Sequence, residues 1–146
     1  MVLAAGSTIF ITPSTGSLNP GASETVLIKG NTDGGPYGWG ISQVEGVLTF
    51  PKNLVKVTSV STAGSSFTWQ QSATPDNNNG TVTFSLRSLT ALVGDVYIMS
   101  VTFQALTTGS GTLGFTSGTT FYSNFATAPT TTSGGSYTIS APTCPA

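Results

Sequence analysis

A chain of 146 residues suits one domain built around a single core. Only 6% of the residues are charged, the net charge is −1 and histidine is absent. This excludes the basic footprint of a nucleic-acid or anionic-membrane binder, and with it Ser-His-Asp, Cys-His and His-ligated metal chemistry.

Twenty-six Thr, 19 Ser and 18 Gly favour extended backbone and turns over helix, and apolar residues recur in patterned runs that a disordered chain lacks. The opening residues 1–7 (MVLAAGS) read as the stub of a trimmed export signal or anchor, and a single domain is expected over 8–140. Thr8 to Thr12 reads as a first strand ended by Pro13, and 14–23 as turn chemistry. Glu24 to Lys29 is a second strand, followed by a loop with Gly34-Gly35-Pro36 as its turn signal. Trp39 to Phe50 is a long third strand, with Val44, Gly46, Leu48 and Phe50 on one face and Glu45, Val47 and Thr49 on the other. Leu54 to Ser61 and Phe67 to Ser72 are the fourth and fifth. A polar turn over 74–80 follows, closed by the hairpin signal Asn79-Gly80.

Thr81 to Ser88 alternates cleanly, with Val82, Phe84 and Leu86 inward and Thr81, Thr83, Ser85 and Arg87 outward. Leu89 to Val93 is the one helical possibility. Tyr97 to Leu106, Leu113 with Phe115, and Tyr137 to Ile139 complete about nine strands, with a long Thr/Gly-rich connection over 117–136. Turns every 8–15 residues predict an all-β sandwich or jelly roll. Residues 141–146 (APTCPA) read as the start of a Pro/Thr linker carrying the single cysteine, Cys144, which cannot form an internal disulfide. No run approaches the roughly 18 apolar residues of a membrane-spanning helix, and the composition suits a secreted or cell-surface protein.

No catalytic residues are assigned, and no hydrolase activity is expected. The five acids, Glu24, Asp33, Glu45, Asp76 and Asp95, include no pair at neighbouring or helical spacing for acid–base work, and no phosphate loop is present. A structural calcium could use Asp33, Asp76 with Asn77 to Asn79, or Asp95. Ordinary polar turns are the preferred reading, so no metal and no cofactor are expected. Aromatics offer a different chemistry, since sugars stack on exposed coplanar rings. Tyr37, Trp39, Trp69, Phe121, Tyr122 and Phe125 are the candidates. Core packing is preferred for both tryptophans, and loop exposure is expected for 121–125.

One stretch carries family information. VEGVLTFPKNLVKVTSV, Val44 to Val60, has a strand running into a Phe50-Pro51-Lys52-Asn53 corner and then an aliphatic strand, with Phe50 and Leu54 expected to anchor the corner in the core. Asn79 to Ser85 and Gly94 to Phe103 follow in matching order. Over roughly Thr8 to Ile139 the chain resembles the cohesin family. That resemblance implies a nine-stranded jelly-roll sandwich acting as a non-catalytic extracellular module that binds dockerin domains through one sheet face. Carried over, the face would comprise Gln43 and Glu45 on the third strand, Thr68 and Gln70 on the fifth, and Thr81, Thr83, Ser85 and Arg87 on the sixth. Where cohesin faces present acids and a Tyr-Asp corner, this chain has mostly Thr, Ser and Gln with Phe50 and Lys52-Asn53. Two other readings stay open: a carbohydrate-binding module taking a polysaccharide, and a structural domain of a surface-layer, adhesin or pilus-like assembly.

Overall fold

The computed structural model describes residues 6–33, 40–123, 126–128 and 130–141. Tyr37, Trp39, Phe125, Cys144, the Gly34-Gly35-Pro36 turn and most of both terminal segments, 1–7 and 141–146, lie outside them. Among the described residues there is no helix, and thirteen strands form. They are β1 (Ser7–Thr12), β2 (Thr15–Leu18), β3 (Ser23–Thr32), β4 (Ile41–Thr49), β5 (Val55–Ser61), β6 (Gln70–Asp76) and β7 (Thr81–Leu92), then β8 (Gly94–Ala105), β9 (Gly109–Phe115), β10 (Thr120–Ser123), β11 (Ala126–Thr127), β12 (Thr130–Ser133) and β13 (Gly135–Ile139).

Two mixed sheets pack face to face. One has the order β12-β1-β3-β8-β5. In the other, β4 is central, with β7 and then β6 on one edge. β10 and β9 share the opposite edge of β4, with β13 and β2 beyond β9. The chain crosses from one sheet to the other at nine of the twelve connections between the described strands, in keeping with a jelly-roll sandwich. Alternation sets the core: Val82, Phe84 and Leu86 of β7 and Val44 and Leu48 of β4 meet Val26, Ile28, Val101 and Phe103 of the facing sheet, all buried. A bulge in the β3–β8 pairing lets the adjacent Ile98 and Met99 both be buried.

Three expectations are corrected. Residues 89–92 continue β7 as strand rather than helix, paired to β4 through Ile41↔Leu92 across an irregular register. Within the long connection 117–136, β10 and β12 add to the two sheets, because backbone pairing to β4 and β1 compensates for the weak apolar pattern. Residues 74–76 pair with β7 rather than turning, so the turn is confined to 77–80.

The Phe50-Pro51-Lys52-Asn53 corner is anchored as expected, with Phe50 buried edge-on against Phe103 at 5.5 Å and Leu54 half-buried against the core. It has a second role that local sequence does not show: it docks the β6–β7 turn. The Phe50 amide donates to the Gly80 carbonyl (2.9 Å) and Lys52 Nζ donates to the Asn78 carbonyl (3.0 Å). Gly80, at φ +71°, is required here, since a Cβ would lie 2.6 Å from the Phe50 carbonyl. Asp76 closes the turn, accepting from the Asn78 and Asn79 amides and from Asn79 Nδ2 (2.7 Å). The Asn79 side chain, followed by the other donors and Lys52, holds the Asp76 carboxyl below its usual range.

Asn77 ties this turn to the other sheet. The Val57 amide donates to Asn77 Oδ1 (2.7 Å) and Asn77 Nδ2 donates to the Val57 carbonyl (3.0 Å), so one carboxamide imitates a neighbouring strand on the edge of β5. Asn77→Ala should cost about 1–3 kcal/mol, because it strands both backbone groups of Val57 at a part-buried position. Denaturant unfolding reads the loss, and hydrogen exchange should show the Val57 amide losing protection.

Tyr137 titrates abnormally. Its hydroxyl donates to the Pro13 carbonyl, and its ring lines a small apolar recess with Leu18, Leu54, Phe103 and Leu113 beside Glu24. Burial, aided by the Glu24 charge, pushes its phenol up to about 12 from 10.0. The folded state therefore holds the proton more tightly than the unfolded one. Its stability contribution is whole below pH 10 and is lost as pH climbs through 12. Tyr137→Phe should flatten the fall in unfolding midpoint between pH 10 and 12.

Candidate functional site

The outer face of β10-β4-β7-β6 is built by register. β4 pairs antiparallel with β7, and β7 with β6, so outward residues align in rows across the strands. The first row is Tyr122, Gln43, Arg87 and Gln70; the second is Thr120, Glu45, Ser85 and Ser72. Val47, Thr83 and Thr74 form the third, and Thr49, Thr81 and Asp76 the fourth. The inward partners Val44, Val82, Phe84 and Leu86 are buried, which fixes the facing direction of β4 and β7.

Seven of the eight residues carried over from the cohesin pattern share this surface: Gln43, Glu45, Gln70, Thr81, Thr83, Ser85 and Arg87. Thr68 does not join the pairing. It is exposed but lies two residues before β6 begins. The strand starts late because Phe67 is drawn into the core, where it stacks on Phe121 at 6.3 Å, and Gln71 Nε2 donates to the Phe67 carbonyl (2.6 Å). Val47 and Thr49 share the side of the third strand expected for Glu45, whereas Ser72, Thr74, Asp76 and Thr120 were not anticipated on the face. The Asn79-Gly80 hairpin signal could have placed the β6 residues, since a turn over 77–80 sets Asp76 opposite Thr81 and fixes every later pair.

Glu45 is the electrostatic centre. Its carboxylate accepts from Gln43 Nε2 (3.1 Å) and Ser85 Oγ (3.5 Å) and from the Tyr122 phenol. The bond to Glu45, with burial and the carboxylate charge, raises the Tyr122 phenol above its usual value. Arg87 is exposed, and among the described residues no hydrogen bond or ion pair engages its guanidinium. Gly46 lets the β9–β10 connection run close against the edge of β4. Thr119 Oγ1 would lie 2.3 Å from a Cβ there, and it accepts from the Val47 amide (3.2 Å).

The sugar-stacking candidates divide. Phe121 is corrected outright: it is 0% exposed, held inward by pairing opposite Val44, and has no free ring face. Trp69, for which core packing was preferred, is 51% exposed, because Phe67 takes the core position instead. Tyr122 is half-buried at the far edge of the face and bonded to Glu45. Tyr37, Trp39 and Phe125 lie outside the described residues. Among those described, the two left, Trp69 and Tyr122, belong to opposite edges of the face rather than to one platform.

For chemistry, among the described residues no three His, Cys, Asp or Glu side chains gather to hold a metal ion. Asp76 is taken up by its own turn, and Asp95 accepts from Asn31 Nδ2 (2.7 Å). The arrangement offers hydroxyls, carboxamides, two internally satisfied carboxylates and one free cation on a sheet face roughly 20 Å by 15 Å.

Known structures share this fold. The third cohesin of ScaC from Acetivibrio cellulolyticus, solved in complex with the ScaB dockerin, is 16% identical with a TM-score of 0.74, covering 91% of this chain and 98% of that one. A non-cellulosomal cohesin from the archaeon Archaeoglobus fulgidus is 17% identical with a TM-score of 0.74, covering 94% and 93%. The cohesin module of a family 33 glycoside hydrolase from Clostridium perfringens is 13% identical with a TM-score of 0.71, covering 97% and 100%. No family model and no curated protein matches the chain. The chain has the cohesin fold.

Proposed function

We propose that the chain is a non-catalytic, extracellular protein-interaction module that binds a dockerin-like partner through the outer face of β10-β4-β7-β6. The observation that carries this reading is the continuous polar face, in which seven residues expected from the cohesin pattern align on three strands of a cohesin fold. Flat sheet faces with fixed hydroxyls and carboxamides suit a structured protein partner, because the donors and acceptors are pre-organised by the ladder beneath them. The face alone is roughly 300 Å², less than half of the ~800 Å² each partner gives to a standard interface, so residues at its rim contribute too. The charge-poor, Thr/Ser/Gly-rich composition fits a secreted or surface-attached location.

The test is a titration of the purified chain against a panel of dockerin modules displayed on yeast. At least one is expected to bind saturably in the micromolar range or tighter, in competition with no soluble glycan. Absence of any binder across the panel, or binding that a polysaccharide displaces, would contradict the reading.

A further inference from the structure

Trp69, Leu89 and Val93, at 51%, 75% and 63% exposure, are three of the four large hydrophobic side chains exposed among the described residues. All three lie by the same end of β7. The backbone at Trp69 is held in place: its amide donates to the Arg87 carbonyl (3.0 Å), and two residues earlier Phe67 is locked in the core. Leu89 follows Arg87 by two residues, in an irregular segment held by bonds between Ser88 Oγ and Thr90. Arg87 is a backbone neighbour of both. Facing it across the strands are Gln43 and Gln70, both uncharged, and the nearest acid of the face, Glu45, already accepts from Gln43, Ser85 and Tyr122. Asp76 lies at the other end of β6, about 20 Å away, and is capped by its own turn.

Trp and Arg are the residues that most often dominate an interface, and an Arg without an internal counter-ion best pairs with a carboxylate. We infer that the Trp69–Arg87–Leu89 corner is the anchor of the interface, and that it takes an acidic segment of the partner whose carboxylate pairs with Arg87 and whose apolar neighbour seats against Trp69 and Leu89. This rests on the proposed use of the same face. The aliphatic side chains favour a protein segment over an acidic sugar, which has no use for Leu89 or Val93.

The experiment is an NMR titration of the chain with three probes: a capped pentapeptide alternating Asp and Leu, its Lys–Leu counterpart, and trigalacturonate. The Asp peptide should shift the Trp69 indole N–H, assigned with Trp69→Phe, and the Arg87 Nε–H saturably, about tenfold more tightly than the Lys peptide. Arg87→Glu should reverse that order while leaving the amide spectrum of the core unchanged. Equal response to both peptides, no response, or response to trigalacturonate alone would overturn the inference. The two readings fail separately. If a dockerin binds the face but the peptides do not discriminate, only the anchor falls. If the peptides discriminate and no dockerin binds, only the dockerin reading falls.

Discussion

Phe121→Ala is expected to lower the free energy of unfolding by about 3–5 kcal/mol, the usual cost of truncating a fully buried Phe. The ring spans the space between the sheets. It stacks on Phe67 with their planes 15° apart, and on the other side it lies so close to β3 that a Cβ on Gly30 would come within 2.7 Å of it. No neighbour can close the gap by a rotamer change, because the walls are two strands and a locked ring. In denaturant the midpoint should fall with the slope unchanged, and the melting temperature should drop by roughly 10 °C. Phe121→Leu, which keeps most of the volume, should cost about 1–2 kcal/mol. The alanine variant should also weaken partner binding, since β10 carries Thr120 and Tyr122 onto the face.

The second large effect is on binding alone. Thr83 is exposed at the middle of the face, between Val47 and Thr74, with no side-chain partner to lose. Thr83→Arg should leave the unfolding midpoint within about 0.5 kcal/mol of the parent, as surface changes do. In a complex, however, it would place a long cation in the contact without a mate, at a cost of roughly 2–5 kcal/mol, or about 30-fold to several thousand-fold in affinity. The control is Thr25→Arg on the outer face of the opposite sheet, where Thr25 bonds only Thr102. That variant should bind as the parent does.

How far these features are legible in the sequence depends on whether local pattern or long-range pairing decides them. β7 reads correctly because Val82, Phe84 and Leu86 alternate with Thr and Ser, and one face of that strand is buried along most of its length. Phe121 misleads because its neighbours are Thr, Tyr and Ser. Its burial follows from pairing opposite Val44, 77 residues away, which no local period encodes. Trp69 and Phe67 share one parity and only one enters the core. The choice falls to Phe67 because the Ser65 hydroxyl caps its amide (3.1 Å) and Phe121 waits beneath it. β2 and β12 escape notice because they are short and poor in apolar residues, and are held by parallel partners from the other end of the chain. The corner at Phe50 is legible as a turn, yet its grip on Gly80 and Asn78 emerges only when the hairpin has folded onto it.

Hydrogen-exchange footprinting of the chain saturated with a bound dockerin tests the central claim most directly. The claim requires new protection in β4, β6, β7 and β10, strongest across 43–47, 70–74 and 83–89, with exchange in β1, β3, β5 and β12 unchanged. Protection appearing instead on the β12-β1-β3-β8-β5 sheet, with β4 and β7 exchanging as in the free chain, would contradict it.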